Sequence, residues 1–146
     1  MSTRFLSDRP IYLQMADEVC RRVVRGDLAP GAQLPSVRDT AAAQGVNPNT
    51  VQRAYEELET RGITTVHRGQ GTFVTLRPDA IRQMRTRLRE EATAAFVADM
   101  VALGCSRADM MKGLERAWIQ GLSASARDRG QTSGPSPERP REGKGK

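Results

Sequence analysis

Across residues 34–75, two short helical patterns meet at Gly45-Val46-Asn47-Pro48-Asn49-Thr50 and lead into two β-branched segments that bracket Gly69-Gln70-Gly71. A polar helix start and a glycine-hinged basic loop on one small framework predict a winged helix-turn-helix, whose second helix fits a major groove. Ser36 reads as an N-cap with Asp39 three residues on, the spacing of a capping box, and the helix it opens ends near Gln44-Gly45. Asn47 is placed to cap the next helix, and Pro48 suits its first position, where the missing amide hydrogen has no intrahelical partner to lose. Val51, Ala54, Tyr55 and Leu58 form the inward stripe, so Asn49, Thr50, Gln52 and Arg53 face outward as groups able to reach base edges and phosphates. Glu56, Glu57 and Glu59 would repel phosphates, which confines contact to the first turns, and Gly62 closes the helix. Residues 63–67 and 72–76 predict a hairpin with Arg68 at its tip, free to approach a phosphate or a minor groove between two glycines.

Upstream, residues 8–26 read as a helix with Pro10 in its first turn, an apolar stripe of Tyr12, Met15, Ala16, Val19 and Val23, and Gly26 as a left-handed stop. Downstream, Ile81, Met84, Leu88, Ala92, Ala95, Phe96, Met100 and Leu103 recur at helical spacing from Pro78 to Gly104. Ser106 with Asp109 caps a further helix bearing Met110, Leu114, Trp118 and Leu122. Two helices of about 45 residues in total cannot enclose a core alone. Self-association solves this, and a two-fold dimer presents two identical helices to a palindromic DNA site. The expected fold is mainly α with a small β-hairpin (α+β). Residues 10–77 form the winged helix-turn-helix, and residues 78–122 form a two-helix dimerisation region acting through Ile81, Met84, Leu88, Phe96, Met100, Leu103, Leu114 and Trp118. Residues 123–146, dense in Gly, Pro, Ser and charge, form a disordered basic tail.

A chain of 146 residues holds one modest domain and an appendage, not a second, full ligand-binding domain. Its net charge of +6 suits a polyanionic partner, but residues 1–77 carry 10 Lys/Arg against 8 Asp/Glu, and residues 123–146 carry 6 against 3. Half of the excess therefore lies in the tail, and local pattern rather than total charge has to carry a nucleic-acid reading. Cys20 and Cys105 lack a Cys-x-x-Cys spacing and read as buried thiols, not as zinc ligands or a disulfide. One histidine and scattered carboxylates assemble no nucleophile-base pair or metal cluster, so neither an enzyme nor a cofactor is expected. No apolar run approaches the ~20 residues of a membrane span, and no signal-peptide core is present; a cytoplasmic protein without a membrane partner is expected.

Each signal has a plainer reading beside it. Arg38 either addresses a base or pairs with Asp39; Asn47 caps its helix in any case; Arg53 either meets DNA or braces the fold through Glu56 or Glu57. His67 reads as a solvent-facing strand end, and Trp118 with the methionines as core or dimer interface in preference to a ligand pocket. A winged-helix protein-interaction module without specific DNA binding is the rival function. RNA binding lacks the exposed aromatic platform that single strands require.

Pro10-Ile11-Tyr12-Leu13-Gln14, Gly31-Ala32-Gln33-Leu34-Pro35-Ser36-Val37-Arg38, Asn47-Pro48-Asn49-Thr50-Val51, Ala54-Tyr55 and Gly69-Gln70-Gly71-Thr72-Phe73-Val74 together resemble the DNA-binding domain of the GntR family of bacterial transcription regulators. The two-helix extension is similar to the YtrA-like subfamily, small homodimers that often control operons for membrane ABC transporters. This resemblance implies a repressor on a palindromic operator, with Arg38 reading guanine, Asn47, Asn49, Thr50 and Gln52 at recognition-helix contacts, and Arg68 and Gly69 at the wing tip. Ser36, Arg53 and Gln70 complete the expected DNA-binding set. Pro48 stands where some relatives place a base-reading arginine and donates no such bond. The small-molecule effector is unknown, and the two-helix region is too small for a deep pocket.

Overall fold

Pro10 (φ −52°) flanks the first helix, α1 (Ile11–Arg25), as its N-cap and so lies just outside the first turn, while Gly26 at φ 87° ends the helix in a left-handed step. The structure, a computed structural model, describes residues 8–129, with side chains to residue 121. Helix α2 (Val37–Gln44) opens where the Asp39 amide donates to Ser36 Oγ at 3.1 Å. Helix α3 (Pro48–Thr60) opens where the Asn49 amide donates to Asn47 Oδ1 at 2.8 Å, with Pro48 in the first turn. Both caps satisfy amides that the helix itself leaves without partners.

Strands β1 (Thr64–His67) and β2 (Gly71–Val74) pair antiparallel, with Thr64 opposite Val74 and His67 opposite Gly71. They are shorter than the predicted segments. Ile63 is fully buried in the core, and Leu76 is exposed, although one further bond, from the Thr75 amide to the Ile63 carbonyl at 2.8 Å, continues the pairing. A segment with no strand periodicity of its own also joins the sheet. Gln33 bridges Phe73, the Leu34 amide donates to the Thr72 carbonyl at 2.8 Å, and the Val74 amide donates to the Ala32 carbonyl at 2.8 Å.

The core gathers Met15, Ala16, Cys20 and Val23 of α1, Leu34, Ala41 of α2, Val51, Ala54, Tyr55 and Leu58 of α3, then Ile63 and Val74. Burial of a side chain such as Leu58 or Ile63 contributes about 1.5–3 kcal/mol, and the inward stripes of α1 and α3 meet in this core. Helix α4 (Pro78–Ala102) follows, and after the turn at Gly104, α5 (Arg107–Arg129).

By its internal contacts the chain divides into two units at Ala94/Ala95, so the first turns of α4 group with the winged helix-turn-helix. In the first unit Met84 is buried in the winged domain's core, Ile81 and Leu88 pack against that core, and Arg85 Nη2 donates to the Val24 carbonyl at 2.8 Å. Met84 is thus removed from the dimerisation set, because its own chain covers it, whereas Ile81 and Leu88 are only partly covered. An unbroken apolar period along a helix does not reveal which partner each turn meets.

In the second unit, taken by itself, Phe96, Leu103, Leu114 and Trp118 are exposed and Met100 is half-buried. At the start of α5 the Ser106 amide donates to Asp109 Oδ2 at 2.9 Å and the Asp109 amide to Ser106 Oγ at 3.2 Å, a complete capping box. Hydrogen bonds from Ser106 hold the Asp109 carboxyl below the usual carboxylate range. Helix α5 continues to Arg129, past the expected start of the tail at 123. Ser-Ala-Ser-Ala-Arg-Asp-Arg has no apolar stripe, yet it contains good helix formers that can extend an established helix. The rest of the predicted tail, residues 130–146, lies outside the described residues.

Candidate nucleic-acid interface

The Tyr55 hydroxyl lies between two elements. It donates to the Pro35 carbonyl at 2.7 Å and stands 2.9 Å from Thr40 Oγ1. A core residue of α3 thereby fixes the residue just before the N-cap of α2, and with it the start of the helix that carries Arg38. Burial pushes the Tyr55 phenol up from its ordinary value, against the opposing effect of the Thr40 hydrogen bond, so it stays a neutral donor near pH 7. Ser36 and Arg38 are exposed at that helix start.

Along α3, Asn49, Gln52, Arg53 and Glu56 follow the i, i+3, i+4, i+7 spacing of one face. Asn49, Gln52 and Arg53 are exposed and Thr50 is half-buried; Asn47 is exposed, with its side-chain oxygen engaged in the cap. Gln52 Nε2 donates to Glu56 Oε1 at 3.1 Å, and Glu57 is held by Arg61 Nε at 2.8 Å. Arg53 braces on neither glutamate: its Cζ lies 4.1 Å from the centre of the Tyr12 ring.

At the wing, the Gln70 amide donates to the His67 carbonyl at 2.9 Å and leaves Arg68, Gly69 and Gln70 exposed. Gln33 Nε2 donates to the Gln70 carbonyl at 2.8 Å, which seats that side chain across the turn. Gly71 makes this possible. A Cβ on it would lie 2.7 Å from Gln33 Nε2, and its φ of 124° is one that other residues rarely adopt. His67 is exposed, as expected for a strand end, and meets the Phe73 ring edge-on at 5.0 Å.

Ion pairing sorts the arginines of this unit. Asp17, buried on α1, pairs with Arg9 and accepts from Arg61 Nη1 at 2.8 Å, while Arg21 and Arg25 pair with Glu18. Burial would lower the Arg61 pKa, but its hydrogen bonds to Asp17 and Glu57 outweigh this and leave it raised. Burial also pushes the Cys20 thiol up, although Arg61 Nη1 lies 3.9 Å from its sulfur. Arg38, Arg53 and Arg68, by contrast, have no carboxylate partner among the described residues. Arg22, Arg77, Arg85 and Arg89 also lack one, so position distinguishes the three: Arg38 stands at the start of α2, Arg53 on the outer face of α3 and Arg68 on the wing.

Sequence reasoning missed Asp17, Tyr12 and Gln33. Asp17, the first of two adjacent acidic residues between Met15-Ala16 and Val19-Cys20, falls on the buried side of an apolar stripe, which was the available signal for it; nothing local pointed to the contacts of the other two. No group of three potential metal ligands occurs among the described residues, and no described helix is long and apolar enough to cross a membrane.

A capped helix with an exposed amide-rich start, a wing hinged on glycine and unneutralised arginines on α2, α3 and the wing define a winged helix-turn-helix DNA-binding protein. The description of bacterial regulatory proteins, gntR family, matches residues 11–74. The chain is 43% identical over 115 residues to YhcF, an uncharacterized HTH-type transcriptional regulator of Bacillus subtilis, covering 79% of this chain and 95% of that one. It is 44% identical over 69 residues to the HTH-type transcriptional repressor YtrA of the same species, covering 47% of this chain and 53% of YtrA. A GntR family transcriptional regulator from Listeria monocytogenes superposes with a TM-score of 0.71 at 32% identity, over 77% of this chain and 98% of that one. The chain belongs to the GntR family: it is a specific DNA-binding transcriptional regulator, not an enzyme.

Proposed function

We propose that the protein is a homodimeric repressor that covers a palindromic operator and blocks transcription in the cytoplasm. One observation carries the assignment of the DNA face: among the exposed arginines without a carboxylate partner, Arg38, Arg53 and Arg68 fall at the start of α2, on the outer face of α3 and on the wing, the elements that present Asn49, Gln52 and Gln70. Arg38 takes a guanine edge as a bidentate donor; Asn49, Thr50 and Gln52 meet bases, and Arg53 and Arg68 meet phosphates. Ser36, Asn47, Gly69 and Gln70 line the same face as cap and turn groups.

A second copy of this chain covers Phe96, Met100, Leu103, Leu114 and Trp118. The groove on α5 formed by Met111, Leu114 and Trp118 also carries Lys112 and Glu115, opposite charges on one face, which suits a two-fold contact with itself. Repression follows the likeness to YtrA, a named repressor. The resemblance to YtrA-like regulators makes an operon for a membrane ABC transporter the target to examine.

Sedimentation of the protein alone and with a palindromic duplex tests this. A dimer in solution, with two protomers per duplex, is expected, and Leu114→Asp with Trp118→Asp is expected to give monomers of much weaker affinity. A wild-type monomer that binds the duplex at full strength would refute the assembly.

A further inference from the structure

We infer that Tyr12, on α1 and outside the helix-turn-helix, is a positioning residue that holds Arg53 ready for a DNA phosphate; this rests on the DNA face assigned above. Arg53 lies 4.1 Å over the Tyr12 ring, within cation–π range. The ring is a firm platform, since Tyr12 is half-buried and packs against the core. Both carboxylates within helical reach of Arg53 are engaged elsewhere, Glu56 by Gln52 and Glu57 by Arg61.

The choice of an aromatic partner has a chemical consequence. A carboxylate holding Arg53 would neutralise its charge and would have to be displaced before a phosphate could bind. A ring face attracts the cation without consuming any of its N–H donors, so the guanidinium stays charged, ordered and able to donate to phosphate oxygens. An unrestrained arginine loses much rotamer freedom on binding, whereas one already held by Tyr12 loses less. Arg53 occupies the same helix face as Asn49 and Gln52, so the held cation borders the expected base contacts.

The experiment measures binding at several salt concentrations to two probes, a duplex selected by the wild-type protein from a random-sequence pool and a scrambled duplex of equal length. Arg53→Ala is expected to weaken both and to reduce the salt slope by about 0.9 for each phosphate that Arg53 neutralises. Tyr12→Leu is expected to weaken both about two- to fivefold per protomer, Tyr12→Phe to bind like wild type, and Tyr12→Leu to add nothing in the Arg53→Ala background. A loss from Tyr12→Leu that persists without Arg53, or one shared equally by Tyr12→Phe, would overturn the inference. Should Tyr12→Leu fail to fold, Tyr12→Met decides: weaker binding that disappears in the Arg53→Ala background supports the platform, and wild-type affinity overturns it. Arg38→Ala, read by its base preference on the selected duplex, reports separately on the DNA face. Wild-type protein that retained neither duplex would bring down both.

Discussion

The Tyr55 hydroxyl donates to the Pro35 carbonyl at 2.7 Å, so the middle of α3 fixes the residue that precedes the Ser36 cap of α2. The same hydroxyl stands 2.9 Å from the Thr40 hydroxyl, so one side chain ties α2 to α3 at two points. Tyr55→Phe is expected to lower unfolding stability by about 1–2 kcal/mol, the cost of these bonds, and to weaken DNA binding while the helical content stays unchanged. Urea unfolding and a binding titration on the same sample check both halves.

Asp17 and Arg61 form the buried ionic centre of the winged unit, with side chains about nine-tenths buried. Asp17→Ala strips Arg61 of one of its two carboxylates inside the fold and is expected to cost about 3 kcal/mol in urea unfolding. Glu57 is more exposed, and Glu57→Ala is expected to cost clearly less. The opposite order would contradict the assignment of Asp17 as the principal partner.

The wing depends on Gln33 lying over Gly71. Gly71→Ala is expected to displace Gln33 and to strain the turn, weakening binding to specific and nonspecific duplexes together. Gln33→Ala should give a milder form of the same loss. Binding indistinguishable from wild type in Gly71→Ala would mean that the turn tolerates the change.

Stability of α5 against pH follows from Asp109, whose folded pKa is depressed by its bonds from Ser106. A depressed carboxyl stabilises when ionised, so its contribution is fully present above the ordinary carboxylate range and disappears as pH falls through the lower folded value. Asp109→Asn is expected to fray the start of α5 at neutral pH and to converge with wild type in strong acid. Amide exchange at residues 106–110 across this range is the measurement.

Cys20, buried and with its thiol pushed up, is expected to resist iodoacetamide at neutral pH until denaturant opens the core. Intact and peptide mass spectra before and after denaturation distinguish protected from reactive thiol. Rapid native labelling of Cys20 would contradict its placement.

Much of this architecture was legible because local chemistry dictates it. The caps at Ser36, Asn47 and Ser106 each need a short polar side chain at one backbone position, and the inward stripe Val51-Ala54-Tyr55-Leu58 follows from helical period alone. What escaped depends on residues far apart in sequence. Arg53 leans on Tyr12 and not on a glutamate one turn away, and Gln33 reaches a turn beyond α3. Ile81, Met84 and Leu88 share one stripe with Phe96 and Leu103, and only the fold reveals that Met84 is buried in the chain's own core, with Ile81 and Leu88 packed partly against it.

The most direct test of the DNA face is a base-by-base substitution scan of the duplex selected by the wild-type protein, repeated with Arg38→Ala. Wild type is expected to lose about 1–3 kcal/mol when one symmetry-related guanine is replaced, and Arg38→Ala to show no preference at that position. Identical base preferences in the two proteins would contradict the assignment of Arg38 as the base reader.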